Sequence, residues 1–315
     1  MSKSTQLTMR PYQSEDDYWR IRNFLREVFV LNDRLEKSWH VGLLDYWRWH
    51  YIENCQFCDP VDQVTFLWET ADEQIAAVLH PVSSGDIVLQ VHPALRTAEL
   101  EEEMVALAEE QLAVRSSDGQ RKLFVQADRD DDLRLNMLER RGYTRCGRPA
   151  HRWWRDLDAP IPDTPIVEGY VIRSMGDVDE FPSRSWASWR AFHPDEPDED
   201  YEGWEWYLNV QSAPLYRRDL DIISATSAGE IASFCTIWYD DVTRSACFVL
   251  VGVIPEHQRR GLGKAMIIKG LRRLKRMGAT RAFVTGYDPP ANALYGSVMD
   301  AKDLSDPWVK ELSST

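Results

Sequence analysis

The stretch Val251-Gly252-Val253-Ile254-Pro255-Glu256-His257-Gln258-Arg259-Arg260-Gly261-Leu262-Gly263-Lys264-Ala265-Met266 runs from a strand pattern through a polar bend into a helical pattern. Residues 246–254 are apolar and rich in β-branched types, as a buried strand requires. Pro255 closes that run, Gly261 and Gly263 follow, and helical spacing holds over residues 263–277. The arrangement suits an anion, because the first amides of a helix have no intrahelical acceptor and the helix dipole is positive there. Glycines at 261 and 263 would let phosphate oxygens reach the backbone with no Cβ in the way. The expectation is a pyrophosphate cradle.

Spacing excludes two common phosphate loops. A nucleotide P-loop needs Gly at 258 and Ser or Thr at 265, where the chain has Gln258 and Ala265, and a dinucleotide fingerprint needs Gly at 266, where Met266 stands. The pattern that does match, Gln258-x-x-Gly261-x-Gly263 after a Val253-x-Pro255 strand end, resembles the acetyl-CoA-binding motif of the GNAT N-acetyltransferase superfamily. The resemblance implies acetyl-CoA as cofactor, contacted by Gln258, Arg259, Arg260, Gly261, Leu262, Gly263, Lys264 and Ala265. It also implies that the strand carrying Val251 and Val253 splays from its neighbour. Backbone groups of these valines would hold the pantetheine arm, and an amide near Val253 would polarise the thioester carbonyl. Donors aimed at a developing oxyanion are a large catalytic contribution. Gly252 within that strand predicts a bulge or a close approach by another group.

Downstream, Asp288-Pro289-Pro290-Ala291-Asn292-Ala293-Leu294-Tyr295 reads as an N-capped, proline-initiated helix with Asn292 and Tyr295 on one face. By the same resemblance Asn292 contacts CoA and Tyr295 protonates the departing thiolate. A phenol suits that task because it still carries its proton at neutral pH. The family usually starts a strand with Gly-aromatic after this tyrosine, whereas Gly296-Ser297-Val298-Met299-Asp300 follows here, which leaves the last strands open.

The same order of elements occurs twice. A short strand, an acidic stretch and an aromatic-bearing helix occupy residues 7–29 and again 170–192. Hairpin patterns follow at 66–78 and 221–239, then apolar strands that close on Pro93 and Pro255, long helices at 99–114 and 263–277, and strands at 122–126 and 281–285. Residues 156–165, rich in proline and aspartate, read as a linker. The chain is therefore expected to be α/β with a mixed sheet, in two tandem GNAT-like domains: 1–158, a diverged copy, and 159–315, the catalytic copy.

Composition bounds the partners. Lys plus Arg number 37 against 51 Asp plus Glu, and a net charge of −14 disfavours nucleic acid and anionic membranes. The longest apolar run, residues 246–254, is too short to span a bilayer. Residues 1–6 are polar and show no export signal, so a cytoplasmic location is expected. Five cysteines suit a reducing compartment, and Cys55-x-x-Cys58 has no second ligand pair, so no metal is expected. Against the overall charge, residues 259–276 hold eight cations. Arg259, Arg260 and Lys264 are read as ligand-side, and Lys269, Arg272, Arg273 and Arg276 as a solvated helix face.

An acceptor would be a small-molecule amine. Seven acids crowd residues 195–205, with Tyr201 and Trp204 interleaved, and Trp206 follows; charge and cation–π attraction there suit a cationic amine. Glu202, Glu205, Trp204 and Trp238 are the residues expected to bind it, while Glu205, Asp240, Asp241 or a water relay could remove the amine proton. In the first copy, aligning Pro93 with Pro255 sets Arg96 over Gln258, Glu99 over Gly261 and Glu101 over Gly263, so that copy is not expected to bind CoA. The reading is an N-acetyltransferase using direct amine attack; a non-catalytic acyl-CoA sensor or interaction module could use the same cradle. A further enzymatic reading resembles the tandem-GNAT thiol-cofactor synthases of actinobacteria.

Overall fold

The computed structural model describes residues 6–115 and 119–312. Residues 1–5, within the segment read for an export signal, lie outside the described residues. In the first half of the chain the strands are β1 (Thr8–Pro11), β2 (Phe66–Glu69), β3 (Ile75–Ser83), β4 (Asp86–Val91), β5 (Val114–Arg115), β6 (Arg121–Asp128) and β7 (Thr144–Arg145). Its helices are α1 (Glu15–Leu31), α2 (Val41–Tyr46), α3 (Val61–Val64), α4 (Ala98–Gln111) and α5 (Asp132–Arg140). The second half holds β8 (Ala150–Asp156), β9 (Tyr170–Ser174), β10 (Asp221–Thr226), β11 (Ile231–Asp240), β12 (Ser245–Val253), β13 (Arg281–Gly286) and β14 (Ala301–Leu312). Its helices are α6 (Phe181–Phe192), α7 (Trp206–Ser212), α8 (Leu262–Arg276) and α9 (Pro289–Gly296). Among the described residues no helix is long and apolar enough to cross a membrane.

The chain forms two compact units, Met1–His151 with Asp303–Thr315, and Arg152–Lys302. A single cut near Asp158 does not describe them. From Arg152 onward β8 belongs to the second unit, and from Asp303 onward β14 belongs to the first. The proline-rich stretch is not a loose joint either. Leu157 is fully buried and its N–H donates to the Thr280 carbonyl at 2.8 Å. Lys275 Nζ donates to the carbonyls of Asp158 and Ala159 at 3.0 Å, and Arg272 donates to the Pro162 carbonyl at 3.1 Å.

In the first unit the strand order is β1-β2-β3-β4-β6-β14. β14 pairs antiparallel with β6 from Ser305↔Asp128 to Leu312↔Arg121, which is where the strand left open after Tyr295 is placed. β4 and β6 run parallel but pair only at Asp86↔Phe124 and Ile87↔Val125, and then separate. Phe24, Leu25, Leu79, Met104, Val105 and Leu123 are among the residues of its core.

In the second unit the order is β8-β13-β12-β11-β10-β9, antiparallel from β9 to β12 and parallel between β12 and β13. The apolar stripe of α8, including Met266, Ile267, Leu271 and Leu274, is buried in this unit's core with Ile237 and Phe248. Close approach depends on Gly270, where a Cβ would lie 2.6 Å from Ile237 Cδ1. α6 packs on β11 and β12 and brings in a buried ion pair, Arg184 Nε to Asp221 Oδ1 at 3.2 Å.

Candidate active site

β12 carries the geometry that matters. It pairs with β13 only at Ser245↔Arg281, Ala246↔Ala282 and Cys247↔Phe283, so from Phe248 onward the two parallel strands part and leave a wedge. On its other edge β12 stays paired with β11 to Ser233↔Val253, with one extra residue between Phe248 and Val251. That bulge resets which backbone groups face outward. The Ile254 N–H donates to the Ala232 carbonyl at 3.0 Å, so by alternation the N–H and C=O of Val253 and Val251 face the wedge. Consistent with this, the Val253 carbonyl accepts from Gln258 Nε2 at 3.2 Å.

Beyond β12 the chain bends through Pro255 and enters α8. Gly261 is the N-cap at φ +86°, no side chain caps the helix, and its first turn holds no acid. The first intrahelical bond is from Ala265 N–H to the Gly261 carbonyl at 3.0 Å, so the amides of Leu262, Gly263 and Lys264 have no intrahelical acceptor. A Cβ on Gly261 would meet nothing within 4 Å, whereas one on Gly263 would lie 2.9 Å from Leu294 Cδ2. The two glycines therefore act differently. Gly261 opens the turn, while Gly263 lets α8 and α9 touch, a packing reason that stands beside the expected phosphate access. Gln258, Arg259, Arg260 and Lys264 are exposed on this turn, while Leu262 and Ala265 are buried and contribute backbone alone.

Side chains from elsewhere in the unit fix the bend. Tyr170 Oη and His257 Nδ1 share a hydrogen bond at 2.6 Å, and Arg190 Nη2 pairs with Glu256 Oε1 at 3.0 Å. On the opposite side of the wedge Asp288 caps α9 by accepting from the Ala291 N–H at 2.8 Å, as its sequence predicts. Asn292 lies against Gly286, and its Oδ1 accepts from the Trp153 indole at 2.8 Å. Tyr295 is 7% exposed, and burial, then Cys235 and Asp288, push its pKa up. Its phenol stays protonated throughout the physiological range.

The profile of the Acetyltransferase (GNAT) family matches residues 179–299, a stretch that contains the wedge, the uncapped helix and Tyr295. Residues 179–299 are a GNAT acetyltransferase domain. A GCN5-related N-acetyltransferase from Sphaerobacter thermophilus superposes with a TM-score of 0.65 at 18% identity, covering 97% of this chain and 95% of the other. A tandem GNAT protein from the clavulanic acid biosynthesis pathway gives 0.65 at 15% identity, covering 98% and 100%. A GNAT-family acetyltransferase from Colwellia psychrerythraea gives 0.56 at 10%, covering 96% and 100%. At these identities the likenesses show the fold, and they show it across nearly the whole chain. No curated protein sequence matches. Acyl transfer is the chemistry of the GNAT family.

The residues expected to bind an acceptor differ in their surroundings. Trp238 is fully buried and its indole donates to the Val249 carbonyl at 2.5 Å, so it holds the bulge and lines no opening. Glu205 folds back to accept from the Trp204 amide at 3.1 Å, and Glu202 is exposed. Asp240 accepts from the Thr243 N–H at 3.0 Å in the turn before Ser245, at the end of the hairpin opposite the wedge, which also removes its neighbour Asp241 as a base. The group announced by Gly252 is Phe234, whose Cζ would lie 2.3 Å from a Cβ there. Arg184 stacks over that ring at 3.9 Å, and Phe192 stands 6.1 Å from it, centroid to centroid. Trp153, Tyr170 and Phe234 escaped the sequence reading. Only Phe234 had a signal, the glycine opposite it.

The first unit repeats the wedge but not the GNAT cradle. Its turn is two residues shorter than that of α8, so cap for cap Thr97 stands where Gly261 does and Glu99 where Gly263 does, a shift from the alignment on prolines. The Thr97 hydroxyl accepts from the Leu100 N–H at 3.1 Å and caps α4. Glu101 is fully buried and accepts from Arg96 Nε at 2.6 Å and Arg134 Nη2 at 2.8 Å. Burial alone would raise its pKa, but Arg134 and Arg96 outweigh that and hold it down at about 2.

Proposed function

We propose that the second unit is an acetyl-CoA-dependent N-acetyltransferase that acts on a small-molecule primary amine by direct attack. One observation carries the reading: an uncapped, acid-free helix start, opened by Gly261, adjoins the wedge in which β12 leaves β13. A diphosphate is the anion such a helix start accommodates, with Arg259, Arg260 and Lys264 adding charge. Bound acetyl-CoA would supply an acyl group activated as a thioester.

The chain's own groups have definable tasks. The wedge-facing backbone of Val251 and Val253 pairs with an extended amide-bearing arm as a further strand would, and the Val253 N–H donates toward the acyl oxygen as negative charge grows on it. The Asn292 amide nitrogen is left to donate, because Trp153 holds the oxygen. Tyr295 delivers a proton at the leaving sulfur as the C–S bond breaks, and the proton that the neutral amine gives up on attack passes through water to restore the phenol, so protons balance. Burial keeps the Cys235 thiol protonated and Cys247 is also buried, which favours direct attack over a cysteine acyl-enzyme. The acids of residues 195–205 favour a cationic acceptor.

The test measures free thiol released from acetyl-CoA across a panel of primary amines, alongside acetyl-CoA binding by calorimetry. Amine-dependent release is expected, with Gly261→Glu abolishing the binding heat. Binding without release from any amine would favour the sensor reading, and undiminished binding by Gly261→Glu would refute the cradle.

A further inference from the structure

We propose that the wedge of the first unit binds a small zwitterion of the free amino-acid type. Past Ile87↔Val125, where β4 and β6 separate, lies a cavity of about 290 Å³ lined by first-unit residues alone. Leu89, Val91 and Pro93 supply apolar lining. The size is that of a small-metabolite site, at the lower end of ligand pockets.

Its polar lining carries both signs. Arg96 gives Nε to Glu101 at 2.6 Å and Nη2 to Asp131 at 2.6 Å; Arg134 gives Nε and Nη2 to Glu101 at 3.0 and 2.8 Å. Each guanidinium therefore keeps an Nη1 with no hydrogen-bond partner among the described residues, and both arginines line the cavity. Two such donors are what a carboxylate takes. Asp130 also lines it, with a side chain 70% exposed whose partner is Lys37 Nζ at 2.7 Å. It offers an ammonium group a carboxylate that solvent can already reach. Lys37, Arg96 and Arg134 face Asp128, Asp130 and Asp131, so the charges of the lining itself are balanced, with Glu101 buried behind both arginines. A diphosphate would bring uncompensated charge toward three carboxylates, in a turn already closed by Thr97 and Glu101. A ligand that is neutral overall, with its two charges apart, finds a partner for each.

The full chain should be screened by thermal shift against the free proteinogenic amino acids. The strongest should then be titrated by calorimetry beside its deaminated acid and its decarboxylated amine. Saturable binding is expected, weaker by about tenfold or more for either analogue, as loss of one paired charge implies. Asp130→Asn, an exposed change that leaves the core intact, should weaken amino-acid binding about tenfold and leave acetyl-CoA binding as in the parent. The proposal is overturned if no amino acid binds, if an analogue with one charge binds as tightly, if Asp130→Asn binds unchanged, or if two acetyl-CoA molecules bind per chain.

Discussion

Trp153 Nε1 donates to Asn292 Oδ1 at 2.8 Å, while the same indole ring fills the space over Gly296, where a Cβ would lie 2.9 Å from Trp153 Cη2. A strand from the middle of the chain thus fixes which end of the Asn292 amide is left to donate. Trp153→Phe keeps the ring over Gly296 and removes the donor. Acetyl-CoA affinity should fall about fivefold, the worth of one neutral hydrogen bond near 1 kcal/mol. Calorimetry on the purified variant checks this, and an unchanged affinity would mean the amide is oriented by something else.

Tyr295→Phe removes the proposed proton donor and little else, because the ring remains in the core. Turnover should fall by roughly 10²-fold or more, the usual contribution of a positioned general acid, with the apparent KM for acetyl-CoA nearly unchanged. Steady-state thiol release separates the two constants. A loss confined to KM would recast Tyr295 as a binding residue.

Gly263→Ala should destabilise the second unit through Leu294, against which the new Cβ would press at 2.9 Å. Overpacking of this kind costs about 1–3 kcal/mol, offset in part by the gain of about 1 kcal/mol when Ala replaces Gly within a helix and by movement of the half-buried Leu294 side chain. The double variant with Leu294→Ala should recover part of that loss, a coupling that denaturant unfolding can read. Additive losses would show that Gly263 is required for another reason.

Glu101 makes the first unit acid-sensitive. Its pKa is about 2 in the fold, depressed from the ordinary 4.5. The folded state therefore binds fewer protons, and the stabilisation present above about pH 4.5 is lost as pH falls toward 2. Glu101→Gln should lower stability at pH 7 by about 3 kcal/mol, because two guanidinium groups lose a buried partner. It should also flatten the decline between pH 4.5 and 2. Urea unfolding of parent and variant at pH 7 and pH 3 tests both signs, and an equal decline in the two proteins would count against the assignment.

Local signals carried much of the fold. The strand predicted over 281–285 is Arg281–Gly286, and the helix predicted over 263–277 is Leu262–Arg276, because both have unbroken periods and clear stops at Gly and Pro. The destination of β8 and β14 was not legible. A period-two pattern says that a strand forms, but not which sheet edge receives it, and short-range connection would have kept each with its own half. The turn at Gly261 was legible because a positive φ favours glycine, while the contact of Gly263 with Leu294 was not, because spacing cannot distinguish ligand access from helix contact. Trp238 was misplaced for a similar reason. An aromatic residue on a strand looks the same whether it faces a substrate or, as here, bonds the bulge carbonyl of Val249.

The most direct measurement is a crystal structure of the full chain with CoA. The diphosphate should lie within hydrogen-bonding distance of the Leu262 and Gly263 amides, beside an arm paired to the β12 edge at Val251 and Val253. A diphosphate found anywhere else on the chain would contradict the account.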